Sequence, residues 1–384
     1  MIYMDIKKGE SRSIKEGGDM FVLALEIIHQ CNLNCNYCYL GKKKNKRMST
    51  ETIDNAIAMG IKEAKKQNDK NLDIYFIGGE PLLCFEEISI IVKKVISKCK
   101  INGIIPTFST TTNGTLLSQD IVDFFVKYNF DWKISIDGNE VVHDLNRKNY
   151  LGNGSYRKIR ENLRFKEDFE KRTDKYVHAA QVISTNNVEY FLDSFQHLKE
   201  LGFKYIETDI NKYEKWNEQK KSKLKDEIIR SVEFYHAATS SGDIFYWHLY
   251  EQMIKEYFSN INFYDCKAAA HSLFVTVDGV LYSCCECLGM EVGRIEEKKL
   301  DVSKIRKVLG IHETKNQKCL KCEYIRKCKA RGCIVDNWSI NKNVFEPIDI
   351  SCFMTKIFFE IINNEFTNQE KEIFIHKYGG IKNG

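Results

Sequence analysis

The chain has 384 residues, of which 43% are hydrophobic and 29% charged, with a formal net charge of +5. This composition is typical of a globular protein with one large and one smaller domain. No apolar run approaches the roughly 18 residues of a membrane span, no secretion signal is evident, and the mild charge does not favour a nucleic-acid surface. We therefore expect a cytoplasmic protein that binds neither membrane nor nucleic acid.

Apolar runs alternate with helical patterns between about residues 20 and 215, which predicts repeated βα units around a parallel sheet. The predicted strands are 21–28, 72–77, 104–111, 131–136, 176–183 and 203–210. Ser49 or Thr50 can cap the helix that follows the first strand. The expected fold is α/β, a partial (β/α)6 TIM-like barrel.

Polar loops follow the first four predicted strands. They are Cys31 to Cys38, Gly78-Gly79-Glu80-Pro81, Thr112-Asn113-Gly114 and Asp137-Gly138. In parallel barrels the loops at the carboxyl ends of the strands converge above a packed core. We therefore expect these four loops to form a single site.

The first loop carries three cysteines within eight residues, Cys31, Cys35 and Cys38. With 14 cysteines and no export signal, the chain favours metal or redox chemistry over a disulfide framework. Three thiolates leave one iron of a four-iron cluster open, and an open iron can chelate a small molecule and pass it an electron. A loop of unrelated free cysteines is the alternative, and core packing rarely places three cysteines so close.

The stretch His29-Gln30-Cys31-Asn32-Leu33-Asn34-Cys35-Asn36-Tyr37-Cys38-Tyr39 resembles the signature of radical S-adenosylmethionine (SAM) enzymes. The Gly-Gly-Glu-Pro segment and the segment from Ser135 to Arg147 resemble two further elements of that family. The resemblance implies a SAM-binding [4Fe-4S] cluster on the three cysteines, with the ammonium of SAM near the glycines and its ribose and carboxylate near Ser135 and Arg147. The implied cofactor-binding residues are Tyr37, Gly78, Gly79, Glu80, Thr112, Asn113, Ser135 and Arg147.

The reaction implied by this resemblance begins with reductive cleavage of SAM to a 5′-deoxyadenosyl radical. That radical abstracts hydrogen from an unactivated carbon, so the protein must exclude water and hold its target close. An electron donor such as flavodoxin or ferredoxin is implied as a partner. The residues do not identify a general base, and no catalytic side chain is assigned.

The C-terminal part carries a second series of cysteines, which resembles the SPASM extension of radical SAM enzymes and its two auxiliary four-iron clusters. One cluster would use Cys266, Cys284 and Cys333, and the other Cys319, Cys322, Cys328 and Cys352. The chain would then hold three [4Fe-4S] clusters. The expected divisions are an N-terminal extension (1–20), the barrel (21–215), a helical bridge (216–262), a small Cys-rich iron–sulfur domain (263–355), and a C-terminal helix and tail (356–384).

Several alternatives for these cysteines stay open. Either Cys285 or Cys287 completes the inner auxiliary cluster, or that site stays open for a substrate thiolate. A single tetrahedral zinc on Cys319, Cys322, Cys328 and Cys333 is also compatible with the spacing. Four residues separate Cys328 from Cys333 where the family usually has three, so the division of ligands is open as well. Cys84 and Cys99 are interpreted as packing residues.

Anaerobic sulfatase maturases are one comparison within this family. They typically carry glutamine where Ile77 stands and an aspartate base where Cys285 stands. The segments Cys266-Lys267-Ala268-Ala269-Ala270, Val277-Asp278-Gly279 and Tyr282-Ser283-Cys284 look more like maturases that form thioether crosslinks in ribosomally made, Cys-rich precursor peptides, and we favour these. Formylglycine formation, carbon–carbon crosslinking, an RNA-modifying radical enzyme and a non-catalytic iron–sulfur carrier are the alternatives. About 20 residues before the first strand are too few for a leader-binding domain, so a separate leader-recognition protein, the bridge or the tail would bind the leader.

Overall fold

The computed structural model describes residues 20–259, 268–285, 290–303, 314–328 and 333–378. Six parallel strands follow one another in the sheet and confirm the predicted α/β barrel. They are β1 (Met20–Ile28), β2 (Asn71–Gly78), β3 (Ile105–Thr112), β4 (Asp131–Ser135), β5 (His178–Ile183) and β6 (Tyr205–Ile210). The predicted strands match these within two residues, because each apolar run is followed by a polar or glycine-containing loop.

Helices connect these strands and cover the sheet. In the barrel they are α1 (Thr50–Ala64), α2 (Phe85–Asn102), α3 (Gln119–Lys127), α4 (Glu140–Asn146), α5 (Tyr156–Arg172) and α6 (Phe191–Glu200). Ser49 caps α1 by accepting a hydrogen bond from the backbone N–H of Thr52, as predicted. The apolar positions of α1 recur at helical spacing and are buried against the sheet.

The sheet continues beyond both edges of this six-stranded core. The segment predicted as a helical bridge contains α7 (Glu218–Ser240), the short strand β7 (Tyr246–Trp247), which pairs in parallel with β6, and α8 (His248–Phe258). At the other edge β8 (Ser272–Val275) runs parallel to β1, and the antiparallel strands β9 (Val280–Tyr282) and β10 (Glu291–Arg294) follow it. The sequence did not predict these four strands.

The β8–β9 turn is fastened to the barrel by a buried carboxylate. Glu26 on β1 accepts a hydrogen bond of 3.0 Å from the backbone N–H of Val277 and lies 2.6 Å from His29 Nδ1. From this turn β9 runs antiparallel to β8 and ends at Tyr282, so Cys284 and Cys285 follow close to β8.

The remaining described helices belong to the C-terminal part. They are α9 (Gln317–Leu320), α10 (Ile334–Asn341), α11 (Asp349–Glu365) and α12 (Asn368–Tyr378). Cys84 and Cys99 are fully buried in the main apolar core, as expected of packing residues. None of the helices in the described ranges combines the length and the apolar character needed to cross a bilayer. Predictions for residues 1–19, Cys266 and Cys287 lie outside the described residues.

Candidate functional site

A cavity of about 370 Å³ opens at the carboxyl ends of the barrel strands. The cysteine loop that follows β1 forms one wall, and the loops after β2, β3 and β4 contribute to it, as the strand order predicts. Its lining includes all three cysteines of that loop and every predicted cofactor-binding residue: Cys31, Cys35, Cys38, Tyr37, Gly78, Gly79, Glu80, Thr112, Asn113, Ser135 and Arg147. The fold therefore brings these candidates together around one space.

Two glycines hold the end of β2 against the residues that precede Cys31. The Gly79 N–H donates to the Ile28 carbonyl at 2.8 Å, and the Glu80 N–H donates to the Gln30 carbonyl at 3.0 Å. A Cβ atom on Gly79 would lie 2.0 Å from the Gln30 oxygen. Gly78 has a φ of +145°, and a Cβ there would lie 2.2 Å from the Ile28 oxygen. Only glycine permits this approach, which fixes the start of the cysteine loop.

Glu80 ties the ends of β2 and β3 together from a buried position. Its Oε1 accepts from Thr112 Oγ1 at 2.7 Å and from the Leu82 N–H at 3.1 Å, and its Oε2 accepts from the Asn113 N–H at 2.7 Å. Burial raises the pKa of this carboxyl to about 7, although the three donors oppose the shift. A carboxylate offers about four acceptor positions, so one is left for a further donor.

The three loop thiols lie close enough to influence one another. Burial raises the pKa of Cys31 to about 12, the hydrogen bond from the Leu33 N–H opposes this, and the charges of Glu80, Cys35 and Cys38 raise it further. Burial also raises the pKa of Cys35, and the Arg147 guanidinium opposes that shift. Deprotonating Cys31 and Cys35 is therefore costly without further positive charge, and a metal centre supplies it. The donor set fits an iron–sulfur cluster.

Arg147, Asp137 and Tyr37 form a buried group beside this loop. Arg147 Nη2 donates to Asp137 Oδ1 at 3.0 Å, the Tyr37 hydroxyl donates to Asp137 Oδ2, and the guanidinium lies 5.2 Å from the centre of the Tyr37 ring. Burial opposes the charge on Arg147, yet its pKa is raised because Asp137 lies against it. Arg147 Nε is buried without a hydrogen-bond partner among the described residues, so one donor is available.

Asp137 is a site residue that the sequence did not single out individually. It is fully buried and also accepts a hydrogen bond from the Val182 N–H at 3.0 Å, which joins the β4 loop to β5. Its own N–H donates to His143 Nδ1 at 3.2 Å. The dipeptide Asp137-Gly138 after β4 was the sequence signal that could have identified this residue. In the structure, Asp137 holds Arg147 in place.

The wall opposite the cysteine loop carries charges that the sequence analysis missed. Glu207 on β6 contacts His178 Nδ1 at 2.6 Å and also accepts a hydrogen bond from Lys133 on β4. Lys212, after β6, forms a 2.6 Å ion pair with Asp336 on α10. Burial disfavours the charged form of Lys212, but Asp336 more than offsets this and raises its pKa.

The C-terminal part reaches the same cavity through Asp336 and Cys285, both of which line it. The lysine–aspartate pair therefore connects the barrel directly to helix α10. Residues from the two ends of the chain thus enclose one space.

The other predicted metal ligands lie in the C-terminal part and are partly buried where described: Cys284, Cys319, Cys322, Cys328, Cys333 and Cys352. Burial raises the pKa of Cys352, and the nearby Cys322 contributes to that shift, so these two thiols are neighbours. Within the described ranges, no three His, Cys, Asp or Glu side chains already form a metal-binding group. The assignment of ligands therefore stays a prediction.

Comparisons with known proteins agree with the fold. A model of the radical SAM superfamily matches residues 25–171. The radical SAM cyclopropyl synthase TigE of Paramaledivibacter caminithermalis is 25% identical over 354 residues, which cover 85% of this chain and 70% of TigE. The chain spans about half the length of several curated anaerobic sulfatase-maturating enzymes that it matches.

Two solved structures share the fold. Native anSMEcpe with bound AdoMet and Kp18Cys peptide has a TM-score of 0.72 at 19% identity, and the match covers 91% of this chain and 99% of that one. Streptococcus suis SuiB bound to its precursor peptide SuiA has a TM-score of 0.59 at 18% identity, with coverage of 87% and 76%. Residues 25–171 of the chain therefore form a radical SAM domain, and the similarity to these relatives supports a radical SAM enzyme of the SPASM type. Enzymes of this superfamily use SAM and a [4Fe-4S] cluster.

Proposed function

We propose that this protein is a peptide maturase that cleaves SAM reductively and modifies a ribosomally made precursor peptide, forming thioether crosslinks. The observation that carries the proposal is the shared cavity, in which the Cys31 to Cys38 loop faces Cys285 and Asp336 of the C-terminal part. TigE matches most of the chain, and SuiB, whose structure contains a precursor peptide, shares its fold. These relatives favour a peptide substrate over RNA.

Cys31, Cys35 and Cys38 would hold the SAM-binding cluster. When bound, that cluster supplies the electron that splits SAM into methionine and a 5′-deoxyadenosyl radical, which abstracts hydrogen from the substrate. A flavodoxin or ferredoxin would provide the reducing electron. The C-terminal cysteines would hold two auxiliary clusters, giving three in all.

The residues around the loop would orient SAM. The remaining acceptor position of Glu80 suits the ammonium group, and Gly78 and Gly79 line the cavity with backbone that can also contact the ligand. The unpaired Nε of Arg147 can donate to the carboxylate of SAM. Asp137 keeps the guanidinium charged and fixed, so this donor is already positioned when SAM enters.

The opposite wall would contact the substrate. A cavity of about 370 Å³ is near the lower end of the range for small-ligand sites, so a substrate would approach it as a flexible segment and not as a folded domain. Lys133, Glu207 and the Lys212–Asp336 pair offer polar contacts to the peptide backbone. Cys285 lies where it can serve as an auxiliary-cluster ligand next to a substrate thiol.

Carbon–carbon bond formation is the second candidate, because TigE, named a cyclopropyl synthase, is aligned over 85% of this chain. Thioether formation and ring closure between carbons each remove two hydrogens, so mass alone does not separate them. A thioether consumes a cysteine thiol, whereas a carbon–carbon bond does not. Formylglycine formation would instead introduce an aldehyde.

The test is a search for a short Cys-rich open reading frame beside this gene and co-expression with the peptide that it encodes, followed by anaerobic assay of the reconstituted holoenzyme. We expect 5′-deoxyadenosine, loss of two hydrogens per crosslink, and one fewer alkylatable thiol in the peptide. A Cys35→Ala variant should give none of these. Loss of two hydrogens with all thiols retained would instead support carbon–carbon bonding, and a hydrazide-reactive product would support formylglycine. Modification of RNA but not of peptide would contradict the proposal.

A further inference from the structure

A second cavity of about 420 Å³ lies outside the candidate active site. It is formed by the last turn of α1, by the residues that lead into β8, and by the segment after β10. Its lining comprises Lys62, Glu63, Lys66, Ala268, Ala269, Ala270, Lys298, Lys299, Leu300 and Val302. We call it the lysine pocket.

The lysine pocket carries a positive rim over an apolar floor. Four lysines line it against a single acid, Glu63, whose Oε2 pairs with Lys66 Nζ at 2.6 Å. Lys62, Lys298 and Lys299 are exposed and form no ion pair with any residue that the structure describes. The floor includes Ala268 and Ala269, which are buried. Acidic residues interspersed with small apolar ones would complement this surface.

The lysine pocket lies at the boundary between the barrel and the C-terminal part. The side chain of Gln67, just after α1, donates to the Ala270 carbonyl at 2.9 Å, and the Val22 N–H at the start of β1 donates to the His271 carbonyl at 2.8 Å. Since α1 runs back from the carboxyl end of β1 to its amino end, the pocket and the cysteine loop are at opposite ends of the barrel. The 9 residues of β1 separate them by roughly 25 Å, at about 3.3 Å per residue.

We infer that the lysine pocket binds an acidic segment of the precursor peptide while another segment of that peptide occupies the active cavity. This inference rests on the proposed function. An extended chain covers at most about 3.3–3.6 Å per residue, so at least about eight residues must separate the acidic segment from the modified residue. The pocket would raise the effective concentration of the reactive segment at the active cavity.

Binding is tested with the full-length holoenzyme and a fluorescein-labelled peptide of alternating glutamate and leucine, measured by fluorescence anisotropy at low and high salt. We expect binding that weakens with salt, because exposed charges are screened. The Lys62→Glu/Lys298→Glu/Lys299→Glu variant should bind roughly tenfold more weakly, since exposed ion pairs contribute about 0.2–1 kcal/mol each. If the Glu variant folds poorly, a variant with glutamine at the same three positions removes the charges without reversing them.

The matched control is Lys93→Glu/Lys100→Glu/Lys171→Glu, which changes the net charge equally at exposed lysines on α2 and α5. It should bind the acidic peptide like the wild type. Equal weakening in both triple variants would refute the inference, because it would reflect net charge alone. Preferential binding of a single-stranded RNA of equal charge would refute it too.

The consequence for turnover is tested with precursor peptides in which the spacer between acidic segment and modified residue is shortened. Pocket variants should raise KM and leave kcat unchanged, and spacers below about eight residues should have the same effect. Normal KM in the pocket variants would overturn the inference while leaving the maturase proposal standing. Acidic-peptide binding by a protein that modifies no peptide would overturn the maturase proposal and with it the precursor peptide as the ligand, while the lysine pocket would stand as a site for acidic peptides.

Discussion

Replacing Gly79 with alanine tests how the barrel fixes the cysteine loop. The added Cβ would lie 2.0 Å from the Gln30 oxygen and 2.8 Å from the Cys31 nitrogen. Both obstacles are backbone atoms, so the strand end must move away and the two hydrogen bonds that join it to residues 28–30 are lost. Two hydrogen bonds at about 1 kcal/mol each, with 1–3 kcal/mol for overpacking, give a destabilisation of about 3–5 kcal/mol.

Chemical denaturation of the metal-free protein measures this loss, and iron per chain after anaerobic reconstitution measures the effect on the loop. Gly60→Ala is the matched control, because its Cβ meets side-chain rather than backbone atoms, with Leu23 Cδ2 at 2.8 Å and Leu72 Cδ1 at 3.4 Å, and alanine favours a helix by about 1 kcal/mol. We expect it to stay close to wild-type stability and iron content. Wild-type stability and iron content in Gly79→Ala would refute the reasoning.

Three further predictions concern charges and cysteines. Asp137→Asn should lower the free energy of unfolding by about 3–5 kcal/mol, because it leaves a buried guanidinium without its counter-charge. Burial raises the pKa of Glu80 from an ordinary value of 4.5 to about 7 in the folded protein, so the folded state binds more protons between these values. Stability of the metal-free protein should therefore fall by roughly 3 kcal/mol as pH rises through that window. Cys322→Ala should keep part of the SAM cleavage yet stop product formation, whereas Cys35→Ala should abolish both.

Each of these predictions has its own control. Asp123→Asn removes an exposed partner of Arg172 and should change the denaturation midpoint much less than Asp137→Asn does. Glu80→Gln should remove the pH dependence between about 4.5 and 7, and an unchanged slope would assign it to other groups. Unaltered product from the Cys322→Ala variant would remove the auxiliary clusters from the mechanism.

The barrel core was predictable because its signals are local. Each of the six strands is an apolar run that ends in a polar or glycine-containing loop, and Ser49 precedes its helix with a capping side chain. The edge strands were not predictable in the same way. β7 has two residues, and the parallel pairing of β8 with β1 joins residues about 250 positions apart, which no local pattern encodes.

The residues of the candidate site show the same difference between local and long-range signals. The cysteine loop and Gly78-Gly79-Glu80 are contiguous motifs, so the sequence identified them and the fold assembled them. Lys133 on β4 and Glu207 on β6 lie inside strands and meet only across the intervening strand β5. A signal for them was present, because charged residues inside parallel strands interrupt the usual continuous apolar run and so indicate a polar barrel interior.

Electron paramagnetic resonance of the reduced, reconstituted protein, recorded with and without SAM, examines the cysteine loop itself. We expect the spectrum of the wild type to change when SAM is added, because the cofactor binds the open iron, and the spectrum of Cys35→Ala to show no such response. Identical wild-type spectra with and without SAM would contradict the assignment of Cys31, Cys35 and Cys38 to a SAM-binding cluster.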